Sequence, residues 1–240
     1  MNALAAAPLT GPGLGYHDHG SGCWVGVWSP AEEPELWREY LDGAWRSYTK
    51  HGVTSVLNLD QVAAGRSTSL FFTALDPRGR VVAGMRSQGP YSHPDQAHAV
   101  QEWSGSPEQP RVAEMIAERL PFGVVETKTG WVAEDAEARR ELVGCLSRAP
   151  LHAAMLSGTR FALGTSAVHT LAMWASTGGV VADELTPVPY PDDRYRTSVL
   201  WWDRLAWADT AAPDQAVAVV AEAAELTRTR DRALTLAAAR

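Results

Sequence analysis

Cysteine is nearly absent from this chain: Cys23 and Cys145 are the only two, and they lie far apart. That excludes a disulfide framework and fits free thiols in a reducing compartment, so a cytoplasmic setting is expected. No apolar run of about 18 residues occurs, so no membrane span is expected. The N-terminus lacks a basic segment followed by an apolar core, so no secretory signal is expected. Basic charge is scarce as well: 21 Lys and Arg stand against 28 Asp and Glu, a formal net charge of -7. That balance argues against nucleic acid as a partner.

What remains is an ordinary globular composition. The 240 residues fit one large domain, or one domain with extensions. Tryptophan is abundant, with ten residues. Most belong in a core, and several suit an apolar cleft.

The stretch from Phe122 to Gly179 alternates between two periodicities. Phe122–Val132 and Arg160–Thr165 have the β-branched and aromatic enrichment of strands. Asp135 to about Met155 and Val168–Ser176 read as helices, the second stopped by Gly178-Gly179. Strand–helix–strand order implies a crossover, so the two strands are expected to be parallel neighbours.

Upstream, Met1 to Gly22 is Ala-, Gly- and Pro-rich, then His-rich, and reads as a flexible arm over 1–22. His17 and His19, without a partner cluster, make a weak metal motif. Cys23–Trp28 reads as a strand, and a helix follows from Ser29-Pro30 to about Tyr48. Val53–Asp60 looks extended. Asp76-Pro77-Arg78-Gly79 is a turn between strands Ser69–Ala74 and Arg80–Met85, the clearest hairpin in the chain. Ser87–Gln109 reads as a long irregular loop, and Pro110–Leu120 as an amphipathic helix. Downstream, Val180–Glu184 and Arg196–Asp203 read as strands. Over 205–240 a helical extension is expected, with Val217, Val220, Ala221 and Ala224 docking on the body or on a second copy. The body of the domain then spans 23–204.

Two features carry a resemblance. One is the hairpin, Leu70–Leu75, Asp76-x-x-Gly79 and Val81-Val82-Ala-Gly84. The other is Ser166 after a strand, with Trp174 eight positions on and Gly178 four further. Together they resemble the GCN5-related N-acetyltransferase superfamily, where an Asn, a helix bearing Tyr and a Gly-Phe pair occupy those last places. The autoinducer synthases and the long-chain N-acyl amino acid synthases are the most similar branches, and Asn58-Leu-Asp60, Arg86 and Glu126 fall where the autoinducer synthases carry an acidic element, an Arg and a Glu. Thr129 departs from that branch, which has Arg there.

The resemblance implies an α/β fold with a mixed central sheet flanked by helices. It implies acyl transfer from a thioester to the amine of a small molecule such as an amino acid. No cofactor is bound permanently; the acyl thioester, on coenzyme A or an acyl carrier protein, is a co-substrate. Glu126 is the expected base, with backbone N–H groups beside it serving the oxyanion. Arg86 suits a substrate carboxylate or phosphate, and Asp60 an acceptor amine. Trp131, Ser166 and Trp174 are expected on the substrate cleft. Trp174 replaces a tyrosine acid, and an indole cannot supply that proton. His93 and His98 in the long loop are further acid–base candidates. The superfamily's phosphate loop is missing: Glu134, Asp135 and Glu137 follow Val132. That favours a donor on a carrier protein over free acyl-CoA. The competing reading is a catalytically silent domain of this fold that binds a ligand or protein.

Overall fold

A computed structural model describes residues 13–238, with the side chains at positions 60, 233, 234 and 236–238 outside that description. Eight strands form one sheet in the order β1-β2-β3-β4-β5-β6-β8-β7. They are β1 (Gly15–Asp18), β2 (Cys23–Trp28), β3 (Leu70–Leu75), β4 (Val81–Gln88), β5 (Val124–Val132), β6 (Phe161–Ala167), β7 (Val180–Val181) and β8 (Thr197–Asp203). Every neighbouring pair is antiparallel except β5 and β6, which are parallel as the crossover predicts.

The hairpin forms for the reason the sequence gives. Asp76 Oδ1 accepts from the Arg78 and Arg80 backbone N–H groups, both at 2.9 Å, and Gly79 takes a φ of +78° that a side chain would disfavour. One face of the sheet carries α1 (Pro34–Lys50), α2 (Leu59–Val62), α3 (His98–Glu102) and α4 (Gln109–Arg119). The other carries α5 (Arg139–Leu156), α6 (Leu171–Ala175) and α7 (Pro213–Ala238). No helix among the described residues is long and apolar enough to cross a membrane.

Several expectations need correction. The arm expected over 1–22 is already sheet from Gly15: β1 pairs with β2, and Asp18 is buried. Positions 1–12 lie outside the described residues. Val53–Asp60 is not extended but folds into a 3-10 turn, Thr54–Leu57, followed by α2. A short apolar run fits either period, and Asn58, at φ 32°, breaks the chain between the two turns. The expected loop Ser87–Gln109 contains the end of β4, the 3-10 turn Pro94–Gln96 and α3.

The C-terminal helix docks through a different face from the expected one. Val219, Glu222 and Leu226 are buried, whereas Val217 and Val220 are 72% and 63% exposed. The docking face wins because it holds an ion-pair network. Arg148 of α5 bonds both Glu222 oxygens from Nε at 2.9 Å and reaches Asp18 of β1 from Nη2 at 2.6 Å. His152 Nε2 lies 2.7 Å from Glu222 Oε2. Asp18, Cys145 and Glu222 bring ligand-type atoms within 4.8 Å of one another, but the Arg148 guanidinium binds both carboxylates. Asp18 therefore has a partner other than a metal.

Candidate active site

The site begins where two paired strands part. β5 and β6 are in register from Val124↔Phe161 to Thr127↔Gly164 and unpaired beyond, although β5 runs on to Val132 and β6 to Ala167. On its other edge β5 bulges against β4: the register shifts between Gly84 and Arg86, and Thr129 takes a φ of 56°. A bulge bends and twists a strand, so β5 leaves β6 here.

Buried polar groups hold the bulge. The Tyr40 hydroxyl donates to the Thr129 carbonyl at 2.8 Å. Arg86 Nε donates to Thr129 Oγ1 at 3.2 Å, and its Nη1 to Thr68 Oγ1 at 3.3 Å. Strict alternation along β5 would put Lys128 and Thr129 on opposite faces. The bulge instead brings the Thr129 hydroxyl to Arg86, whose cross-strand partner is Lys128.

A cleft of about 540 Å³ opens at the wedge between the strands. On the α1 and α3 side its wall includes Tyr48, Glu102, Lys128, Tyr190 and Tyr195. On the α5 and α6 side it includes Met85, Val143, Leu146, Met173 and Trp174. The first wall is mainly polar and aromatic, with Val53 and Val56 beside it; the second is apolar at these residues and also carries Arg139, His169 and Thr170. A smaller pocket of about 150 Å³ reaches Gly164 and Trp202, where the strands begin to part.

Two carboxylates lie on the α3 side. Glu126 is 0% exposed and is absent from the cleft wall. Its Oε2 accepts from the Tyr91 hydroxyl at 2.7 Å and the His98 N–H at 2.8 Å, and its Oε1 from the Ala99 N–H at 3.0 Å. It ties the first turn of α3 to β5. Burial, then the Glu126 carboxylate, pushes the Tyr91 hydroxyl well above its ordinary pKa.

Glu102, four residues along the same helix from His98, does reach the cleft. Lys128 Nζ donates to its Oε1 at 2.6 Å, and His98 Nδ1 lies 2.8 Å from the same oxygen. Burial alone would raise its pKa, but the Lys128 ammonium and His98 outweigh burial and hold it at about 2. Burial, opposed by Arg86 and aided by Glu102, pushes the Tyr48 hydroxyl up to about 12. Burial and Glu102 raise the Tyr190 hydroxyl in the same sense.

On the apolar side, Trp174 Nε1 donates to Ser166 Oγ at 2.8 Å, and Ser166 Oγ lies 2.7 Å from Thr170 Oγ1. Thr170 donates its own proton to the Ala167 carbonyl at 2.8 Å, so Ser166 is the donor to Thr170. Both predicted residues line the cleft, and their protons are committed. Trp131 also lines it. Its ring packs over Gly43 of α1, where any Cβ would collide with the indole, and its Nε1 has no partner among the described residues.

Beyond Trp131 a second groove of about 700 Å³ runs to the start of α5. Of the three acidic residues after Val132, Asp135 is held by Arg80 Nη1 at 2.9 Å and Glu134 is paired with Lys50. Arg46 and Arg139 also line this groove, as do Glu39 and Asp42. The expected repulsion of a phosphate is therefore partly cancelled.

The wedge thus gathers Trp131, Ser166 and Trp174 on its wall, with Arg86 bracing the bulge and Glu126 sealed behind it. Asp60 belongs to α2, and its side chain lies outside the described residues. Sequence reasoning missed Glu102 and Tyr48. The i, i+4 spacing of His98 and Glu102 was the available signal, concealed by reading that stretch as loop.

No protein-family model matches the chain. Uncharacterised proteins of Mycobacterium tuberculosis and Mycobacterium bovis are each 46% identical over 207 residues, covering 86% of this chain and 78% of theirs. The structure of FeeM, an N-acyl amino acid synthase from uncultured soil microbes, aligns with a TM-score of 0.54 at 12% identity. That alignment covers 80% of this chain and 97% of FeeM. The chain therefore belongs to the family of these mycobacterial proteins and has the GCN5-related N-acetyltransferase fold.

Proposed function

We propose that this protein is an N-acyltransferase that moves an acyl group from a thioester to the amine of a small molecule such as an amino acid. The observation that carries the reading is the parted β5–β6 pair, with an aromatic, charged wall on one side and an apolar wall on the other. The apolar wall suits the acyl chain, and the polar wall suits the acceptor. The β5–β6 ladder ends at Thr127↔Gly164, and the backbone N–H groups it leaves without a ladder partner are the donors assigned to the carbonyl oxygen as negative charge develops.

In the reaction the neutral amine nitrogen attacks the thioester carbon. The C–N bond forms and the C–S bond breaks. One proton leaves the ammonium before attack and passes to water in the cleft. A second leaves the nitrogen as the intermediate collapses and ends on the thiolate. Ser166 and Trp174 have committed protons, so Tyr48, Tyr190 and Tyr195 are the tyrosine hydroxyls on the wall that could supply that one. Glu126, sealed from the cleft, acts by positioning α3. The donor is carried by coenzyme A or an acyl carrier protein as co-substrate, and the setting is cytoplasmic. The exposed stripe Val217, Val220, Ala221 and Ala224 supports self-association through α7.

A panel of acyl thioesters and amines, with products read by mass spectrometry, tests the reading. An amide from at least one pair supports it. Tight binding of one ligand with no amide from any pair favours the silent binding domain, a reading that the occupied Trp174 position supports.

A further inference from the structure

Glu102 stands between two cavities. Its side chain is 1% exposed. It walls both the main cleft and a neighbouring groove of about 440 Å³ bounded by Ser104–Glu108 and Thr186–Pro189. All its described pairing runs through one oxygen: Oε1 takes Lys128 Nζ at 2.6 Å and His98 Nδ1 at 2.8 Å. Oε2 is buried and has no hydrogen-bond partner among the described residues. A buried carboxylate oxygen left without a donor is destabilising. On a residue that walls two cavities, a ligand is the natural source of that donor.

The donor's chemistry follows from the surroundings. Glu102 stays ionised across the physiological range, and it shares its one ammonium, Lys128, with the Glu126 carboxylate 3.7 Å from that nitrogen, so two carboxylates face one lysine and the surplus favours a further cation over an anion. The Tyr48 and Tyr190 rings line the same cleft, and aromatic faces favour a cation beside them. An ionised carboxylate also favours the protonated form of any nitrogen it holds, whereas an amine attacks a thioester only after losing that proton. The nitrogen held at Oε2 is therefore not the one that reacts. The reacting site is close, because Lys128, bound to Oε1, directly follows Thr127, the last residue of β5 paired with β6.

We propose that Glu102 Oε2 anchors a second, non-reacting cationic group of the acceptor, so that the acceptor carries two amino groups, as a diamine or a basic amino acid does. The inference rests on the acyl-transfer reading of the same cleft.

The test titrates the full chain with 1,4-diaminobutane by calorimetry, with no acyl donor present. Wild type binds, and Glu102→Gln binds at least about 30-fold more weakly, the lower end for losing one partner of a buried charge pair. Affinities within threefold of each other, or no binding to wild type, overturn the proposal. In turnover assays with an active donor, 1-aminobutane is acylated at less than about a tenth of the diamine's rate, because its only nitrogen is the one Glu102 holds protonated. Equal rates overturn the proposal as well. Should Glu102→Gln not fold, wild-type crystals soaked in 1,4-diaminobutane decide. A nitrogen within hydrogen-bond distance of Oε2 supports the anchor, and its absence there overturns it. The titration and the soak need no donor, so absence of acylation sinks the parent reading while failure to bind sinks this one.

Discussion

Glu126 and Glu102 are both buried acids on the α3 side of the sheet, and their surroundings give them different work. Glu126 accepts from Tyr91 and from two backbone N–H groups of α3. Replacing it with Gln sets an NH2 group against donors. Glu126→Gln is expected to lose roughly 1–3 kcal/mol of stability, read by urea denaturation, with any fall in turnover following from displaced α3. Unchanged stability with turnover reduced by about 100-fold or more would restore Glu126 as the base itself. Glu126, Ser166 and Trp174 were singled out by the resemblance, which places them relative to β5 and β6; Ser166 and Trp174 stand on the cleft wall, whereas Glu126 is sealed behind it. Glu102 was not legible in the sequence. Its main partner, Lys128, lies 26 residues downstream, and only the closed sheet brings them together. Arg86 was legible as a special residue. Its place under the bulge was not, because a positive φ is uncommon for a β-branched residue and nothing in the sequence marks one at Thr129.

At the scale of elements, turn chemistry made the hairpin readable, and β-branched runs made β5, β6 and β8 readable. β1 was hidden by its composition: its four residues, Gly-Tyr-His-Asp, follow an Ala- and Gly-rich stretch and carry no alternation of their own. What holds β1 is tertiary. Asp18 and Glu222 share Arg148, so the edge strand, α5 and α7 are tied at one point. Burial raises the Glu222 carboxyl, but His152 and Arg148 outweigh burial and lower it below the usual range. Glu102 is held at about 2. In both, the folded state binds its proton at a lower pH than the unfolded chain does. Their contribution is intact above the ordinary glutamate value of about 4.3 and is lost as pH falls through the folded values. Urea midpoints are therefore expected to be steady down to about pH 5 and to drop between roughly pH 4 and 2, with a shallower drop in Glu222→Gln. A midpoint that holds down to about pH 2.5, or a slope unchanged by the substitution, contradicts this account.

Across the whole molecule, one feature organises the rest: a sheet that is continuous on both sides of β5 and β6 and open between their ends. On one face α1, α3 and the loop before β8 bring Tyr48, Glu102, Tyr190 and Tyr195 to the opening, and α5 and α6 on the other bring a largely apolar wall. In the groove toward α5, Asp135 is paired with Arg80 and Glu134 with Lys50, so two of the acids that line it are offset. Arg80 and Asp135 lie 55 residues apart and meet only once β5 has paired with β4. The central claim is that thioester and amine react in this opening. It is tested most directly by mixing the purified chain with an acyl-pantetheine or acyl-CoA and a primary amine, then counting free thiol and amide in the same tube. The account predicts one thiol released for each amide formed, with neither appearing when the amine is omitted. Thiol release that ignores the amine, or no amide with any donor, would contradict it.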